Sequence, residues 1–189
     1  MKRGALLGEL ERYKAHFPDE AARVLRFANF VGAHPDCFSR RCHPGHVTAS
    51  AWIVSADHDF FLLTHHRKLG RWLQLGGHAD GDPDVLRVAL REAREESGMH
   101  DFEVVPGSSG LLPLDLDVHR IPARGAEPEH DHYDVRFLLV AAKDPVIRVS
   151  DESHDVRWFT LGDAAELVAE ESLRRLVRKT RARLAPRAT

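Results

Sequence analysis

Gly77-His78-Ala79-Asp80-Gly81-Asp82-Pro83-Asp84-Val85-Leu86-Arg87-Val88-Ala89-Leu90-Arg91-Glu92-Ala93-Arg94-Glu95-Glu96-Ser97-Gly98-Met99 is the stretch whose reading decides the fold. From Asp82 onward it has the marks of a helix. Asp82 suits the N-cap, Pro83 the first helical position, Asp84 complements the positive helix end, and Gly98 suits the position just past the C-terminus. At about 100° per residue, Val85, Leu86, Val88, Ala89, Leu90 and Ala93 form a broad apolar arc that should face a core.

Glu92 and Glu96 fall inside that arc and Glu95 sits at its edge, the three spaced i, i+3, i+4. Carboxylates one turn apart repel each other, and partial burial strengthens the repulsion. Protonation or a cation between them relieves it, and a hard divalent ion with oxygen ligands, Mg²⁺ or Mn²⁺, is the natural occupant. The alternative is a solvated helix face on which Arg91 and Arg94 balance the acids. Position within the apolar arc, and the Gly76-Gly77 pair ahead of the helix, favour the metal.

With Gly77 at the right distance, Arg91-Glu92-Ala93-Arg94-Glu95-Glu96-Ser97-Gly98-Met99 resembles the Nudix box, G-x5-E-x7-R-E-U-x-E-E-x-G-U with U apolar. Trp72-Leu73-Gln74-Leu75-Gly76-Gly77 is similar to its W-x-x-P-G-G lead-in. There are two departures: Pro83 stands where the first box glutamate falls, and Leu75 where a proline is expected. The resemblance covers residues 47 to 160. It implies an α/β protein of the Nudix fold, a mixed β-sheet sandwiched between α-helices. It also implies Mg²⁺-dependent hydrolysis of the diphosphate linkage in a nucleoside diphosphate linked to another moiety. By the same resemblance Glu92, Glu95 and Glu96 hold the metal together with a backbone carbonyl of Gly77 or Gly76. Arg91 orients a catalytic glutamate by ion pairing. The general base is a box glutamate or a residue of a later loop, here Glu152 or His154, ahead of the V-R-W-like strand at Val156-Arg157-Trp158. A Nudix-fold protein that binds such a ligand without hydrolysing it is the rival that Pro83 favours.

A second constellation is independent of the box. His130-Asp131-His132-Tyr133-Asp134 places His130, His132 and Asp134 on one face of a strand by its two-residue period. His-x-His on a strand suits a transition metal, with Asp134 as a further ligand, which would make a metal enzyme of another class. The alternatives are histidines that contact substrate phosphate, or a solvated strand entry. His65, Lys68 and Arg71, just before Trp72, suggest a basic rim for an anionic substrate.

The chain has 189 residues, 43% hydrophobic and 30% charged, with a formal net charge of −2. That is enough for one domain with a core, and no overall field points to nucleic acid or anionic membrane. No apolar run reaches the length of a membrane span and the N-terminal run lacks a signal-peptide core, so a cytoplasmic protein is expected. Cys37 and Cys42 lie near His43 and His46, but Cys-x4-Cys is not a usual zinc-finger spacing. Residues 1–46 read as a helical extension, two amphipathic helices joined at Pro18 that pack on the following domain or cover a second copy in a homodimer. Residues 47–189 read as the main domain. In it, Val47–Val54 and Phe60–Thr64 form a hairpin, with short strands at Trp72–Leu75 and Phe102–Val105. A half-buried strand runs through Leu114, Leu116 and Val118, followed by strands at Tyr133–Ala142 and Val156–Thr160 and a closing helix over Asp163–Leu184. The arginines and lysine after Glu171 read as a solvated face that complements the helix dipole.

Overall fold

The computed structural model describes residues 2–107, 110–151, 153–160 and 171–185. Two helices, α1 (Lys2–His16) and α2 (Ala21–Ala33), are joined by a 3₁₀ turn at Pro18–Glu20. Then come β1 (Gly45–Val54), β2 (Phe60–His66), β3 (Arg71–Leu73), β4 (Leu75–His78), α3 (Val85–Ser97), β5 (Phe102–Val104), β6 (Asp115–Ile121), β7 (His130–Ala141), β8 (Ser153–Thr160) and α4 (Glu171–Leu184). The first part of the expected closing helix and Glu152 lie outside the described residues.

The eight strands form one mixed sheet built on a parallel pair, β1 beside β7, in register from Gly45↔Asp131 to Val54↔Val140. β7 carries β6 and β5 on its other edge, both antiparallel. β1 is shared on its far side: β4 takes Thr48–Ala51, so the β1–β2 hairpin pairs only at Ile53 and Val54. β2 in turn pairs with β3 and β8.

Strand alternation sorts the two faces. Val47, Ala49, Ala51 and Ile53 of β1 share a face with Tyr133, Val135, Phe137 and Leu139 of β7, covered by α1, α2 and α3. Leu6, Leu10 and Tyr13 of α1 and Val24, Phe27, Phe30 and Val31 of α2 belong to the same buried cluster as Val85, Val88 and Ala89 of α3. The Phe30 and Tyr133 rings stack at 3.8 Å. The other face is divided. Its far half is apolar, with Trp52, Val54 and Leu138 packed against Leu173, Leu176 and Val177 of α4. Its near half is polar.

Three expectations are corrected here. The box helix starts at Val85 with Asp84 as N-cap, its side chain accepting from the Arg87 N–H at 3.0 Å, so Pro83 precedes the helix and Asp82 is not the cap. Asp82 instead pairs with the Arg87 guanidinium. The acids alternating along β6 do not face water: Asp115 and Asp117 are buried. Nor is the basic face of α4 wholly solvated, since Arg175, Lys179 and Arg183, one turn apart, point inward. Arg175 and Lys179 pair with Asp115 at 2.8 Å each, and Arg183 donates to the Leu112 and Pro113 carbonyls. Arg187 lies outside the described residues.

Candidate active site

The polar half of the sheet is laid out in rows, because registered strands aim paired residues to the same side. One row runs His119, His132, His46 across β6, β7 and β1; the next runs Asp117, Asp134, Thr48, His78; the third runs Asp115, Arg136, Ser50, Gly76. A cleft of about 360 Å³ opens over these rows, with the Gly76-Gly77 segment and the Arg91–Glu96 face of α3 on one wall. His66, Lys68 and Leu69 form part of the opposite lip.

The glycine pair is explained by what stands beside each Cα. A Cβ on Gly76 would collide with the Ser50 side chain, and one on Gly77 would lie 2.6 Å from the Glu92 carboxyl. Only glycine lets β4 lie against β1 on one side and α3 on the other. The Gly76 N–H donates to Glu96 Oε2 at 3.2 Å, which draws Glu96 to the same turn. Arg91 bridges the wall: it donates to the His78 carbonyl at 2.9 Å and pairs with Glu92 at 2.8 Å and Glu95 at 3.1 Å. Glu96 is buried, the Glu92 side chain is 13% exposed and that of Glu95 58% exposed. Five residues of the sequence reading, Gly77, Arg91 and the three glutamates, are thus brought to one wall.

The donor set fits a hard divalent cation. It consists of oxygen ligands from one helix face, next to a backbone turn with no side chain to obstruct approach. On the floor below, Asp134 accepts from Thr48 and Ser50 at 3.0 and 2.8 Å and pairs with Arg136 at 2.9 Å. Arg136, 2% exposed, also reaches Asp117 at 3.1 Å. Burial alone would raise the Asp117 carboxyl, but the His119 hydrogen bond and the Arg136 and Arg175 guanidiniums outweigh it and hold the group well below the usual carboxylate range. At the rim Arg40 makes a two-pronged pair with Asp80, 2.6 Å on each prong, and the hydrogen bond holds the Asp80 carboxyl low.

Other sequence expectations fall elsewhere. Alternation on β2 sends Thr64 and His66 to the cleft and His65 to the opposite face, where its ring lies 5.0 Å from Trp72 and 5.5 Å from His154. Neither His65 nor His154 is among the residues that line the cleft. Arg71 is exposed at the start of β3 and is not among the cleft-lining residues, whereas Lys68 is. His130 and His132 do come together, with Nε2 atoms 3.3 Å apart, but Asp134 is not their fellow ligand, its oxygens being engaged by Thr48, Ser50 and Arg136. The third member is His46, which the sequence reading leaves outside the strand by starting it at Val47, two residues after its true start at Gly45. His46-Val47-Thr48-Ala49-Ser50 alternates polar and apolar, which was the signal that could have found it. Burial, with His78, His130 and Arg40 nearby, pushes His46 down to about 4; burial among His119, His46 and His78 pushes His132 down to about 2. Cys37 and Cys42 are free and packed in the core under α1 and α2, and the metal-competent cluster among the described residues does not include them.

Comparison with known proteins agrees with this architecture. Bis(5'-nucleosyl)-tetraphosphatase [asymmetrical] of Rattus norvegicus is 26% identical over 118 residues, covering 61% of this chain and 74% of its own length. The m7GpppN-mRNA hydrolase NUDT17 of Homo sapiens is 29% identical over 132 residues, covering 63% of this chain but 39% of its own length. A crystal structure of a C. elegans Ap4A hydrolase binary complex superposes with a TM-score of 0.59 at 21% identity, covering 74% of this chain and 97% of that one. A NUDIX-family hydrolase from Clostridium perfringens gives 0.57 at 24% identity, covering 73% and 95%. The family model for the NUDIX domain matches residues 44–180, most of the chain, and with that match the chain belongs to the NUDIX domain family.

Proposed function

We propose that this Nudix-type pyrophosphohydrolase uses Mg²⁺ or Mn²⁺ to hydrolyse the diphosphate linkage of a nucleoside diphosphate joined to a second moiety. The observation that carries the proposal is the convergence on one turn: Glu92 against the Gly77 Cα, and Glu96 accepting from the Gly76 N–H. Glu92, Glu95, Glu96 and the Gly76-Gly77 backbone would hold the metal. When bound, such an ion neutralises phosphate oxygens and lowers the pKa of water.

The chain's own residues supply the rest. Arg91 holds Glu92 and Glu95 in place through its two ion pairs and is itself fixed by the His78 carbonyl. Attack of water on one phosphorus forms a P–O bond and breaks the anhydride P–O bond. The bridging oxygen leaves with its electron pair on the phosphorylated remainder. In this reading a box glutamate takes the water's proton: Glu92, Glu95 and Glu96 line the cleft and His154 is not among its lining residues, while Glu152 lies outside the described residues. Lys68 at the lip offers positive charge to the substrate's outer phosphate. No covalent intermediate is required.

The tetraphosphatase relative puts dinucleoside tetraphosphates first among substrates to test. The experiment is a screen of nucleotide-linked diphosphates and dinucleoside polyphosphates with Mg²⁺, scored by nucleotide release. Turnover that requires the metal and is lost in Glu96→Gln supports the proposal. Turnover unaffected by chelation would overturn it.

A further inference from the structure

His46, His130 and His132 present ring nitrogens that all lie within 4.8 Å of one another, from neighbouring positions on β1 and β7. The closest pair, His130 Nε2 and His132 Nε2, is 3.3 Å apart. Metal–nitrogen bonds of about 2.05 Å in tetrahedral geometry place neighbouring ligand nitrogens about 3.3 Å apart, so this pair already has the spacing of one edge of such a site.

The tautomer of His130 is set by its surroundings. Its Nδ1 lies 2.9 Å from the Pro128 carbonyl, and a carbonyl only accepts, so Nδ1 carries the proton and Nε2 turns a lone pair into the cluster. A backbone carbonyl on the distal nitrogen is the usual support of a metal-bound histidine. His46 is 1% exposed, and neither of its ring nitrogens has a hydrogen-bond partner among the described residues. A buried imidazole with both nitrogens unpartnered, facing two other imidazoles, is an arrangement that a cation completes. The Glu127 carboxylate, 3.8 Å from His130 Nε2, adds negative charge beside it.

We propose that His46, His130 and His132 bind one divalent transition-metal ion of the zinc class, at a site distinct from the Glu92–Glu95–Glu96 set. The ligand chemistry separates the two: imidazole nitrogens select zinc, cobalt or nickel over magnesium, whereas the carboxylates suit magnesium. His132 lines the cleft, so the ion would stand at its wall, where a phosphate oxygen of a bound substrate could take the remaining coordination position.

The test is metal binding by the full chain, without substrate. After chelator treatment and dialysis, the protein is titrated with Co²⁺ and followed by visible absorption, then with Zn²⁺ by calorimetry. The expected result is one equivalent of Co²⁺ with a d–d spectrum of nitrogen ligation, displaced by Zn²⁺. His46→Ala and His132→Ala, checked for folding by circular dichroism, should each weaken Zn²⁺ binding by about 100-fold or more. The double variant Glu92→Gln/Glu96→Gln should keep the stoichiometric site whatever becomes of hydrolysis, which separates this proposal from that for the carboxylates. Absence of a stoichiometric ion in the unaltered protein overturns the proposal whether or not the variants fold. So does an ion that the glutamine double variant loses and His46→Ala retains.

Discussion

The Cα of Gly77 lies directly against the carboxyl of Glu92: a methyl group on the glycine would stand 2.6 Å from the glutamate's carboxyl carbon. The contact joins β4 to the third turn of the box helix. Gly77→Ala must displace either the strand or the carboxylate. Since α3 is anchored by Val88, Ala89 and Ala93 in the core, the carboxylate will move. The expected outcome is a loss of Mg²⁺-dependent turnover of about 100-fold, since a 1 Å misplacement costs that much, with an unchanged circular dichroism spectrum. A variant with unaltered kcat would show that Glu92 has no part in the chemistry.

Glu96→Gln removes a charge without removing the shape, and the amide oxygen can still accept from the Gly76 N–H. Turnover should fall by two or more orders of magnitude while the urea midpoint holds or rises, because repulsion from Glu92 one turn away is relieved. Steady-state kinetics across a Mg²⁺ range, alongside urea unfolding, checks both halves. Full activity in the folded variant would remove Glu96 from the metal set.

Arg136 is the hub of the charge network below the cleft, paired with Asp134, Asp117 and Asp115. Arg136→Met leaves buried carboxylates without their cation, and should cost about 3–5 kcal/mol of stability. Denaturant unfolding measures it. A loss below about 1 kcal/mol would mean that Arg175 and Lys179 suffice to neutralise the acids.

The same network sets an acid limit. Asp115 and Asp117 are held below the ordinary 3.8 in the folded protein, so the unfolded chain binds their protons first as pH falls. Their contribution to stability is therefore present above about pH 4 and is lost progressively below it, toward their depressed folded values. Unfolding midpoints at pH 6, 5, 4 and 3 should show the loss setting in at the acid end of that series. In Asp117→Asn the decline should be shallower.

How far the sequence could be read depends on how local each feature is. The α3 glutamates, Gly98 and the glycine pair were legible because their spacing is set within one helix and one turn. The rows of the polar face were not. His46 meets His132 through parallel pairing of strands 86 residues apart, which no local period announces. Arg175, Lys179 and Arg183 carry helical spacing, but a charged stripe declares nothing about where it points until Asp115 and Asp117 are found opposite it. The helix start was misplaced by two residues because Asp82 and Asp84 flank Pro83, and either can cap. The structure gives the cap to Asp84 and the Arg87 side chain to Asp82.

That same local arrangement decides what Pro83 does. It stands where the Nudix box has its first glutamate, in the turn before α3, with Asp82 held by Arg87 on one side and the capping Asp84 on the other. Neither acid is among the residues lining the cleft, whereas Glu92, Glu95 and Glu96 are. A glutamate at position 83 would lie ahead of the first helical turn and disturb neither the cap nor the ion pair. Pro83→Glu should therefore change kcat/KM by no more than a few-fold in either direction, and stability by less than the roughly 1 kcal/mol that loss of a cap costs. The check is a Mg²⁺ titration of hydrolysis on both proteins with the substrate that the screen identifies. Hydrolysis by the glutamate variant alone, across every compound offered, would mean that Pro83 has silenced the cleft and that the natural chain binds its diphosphate without cleaving it.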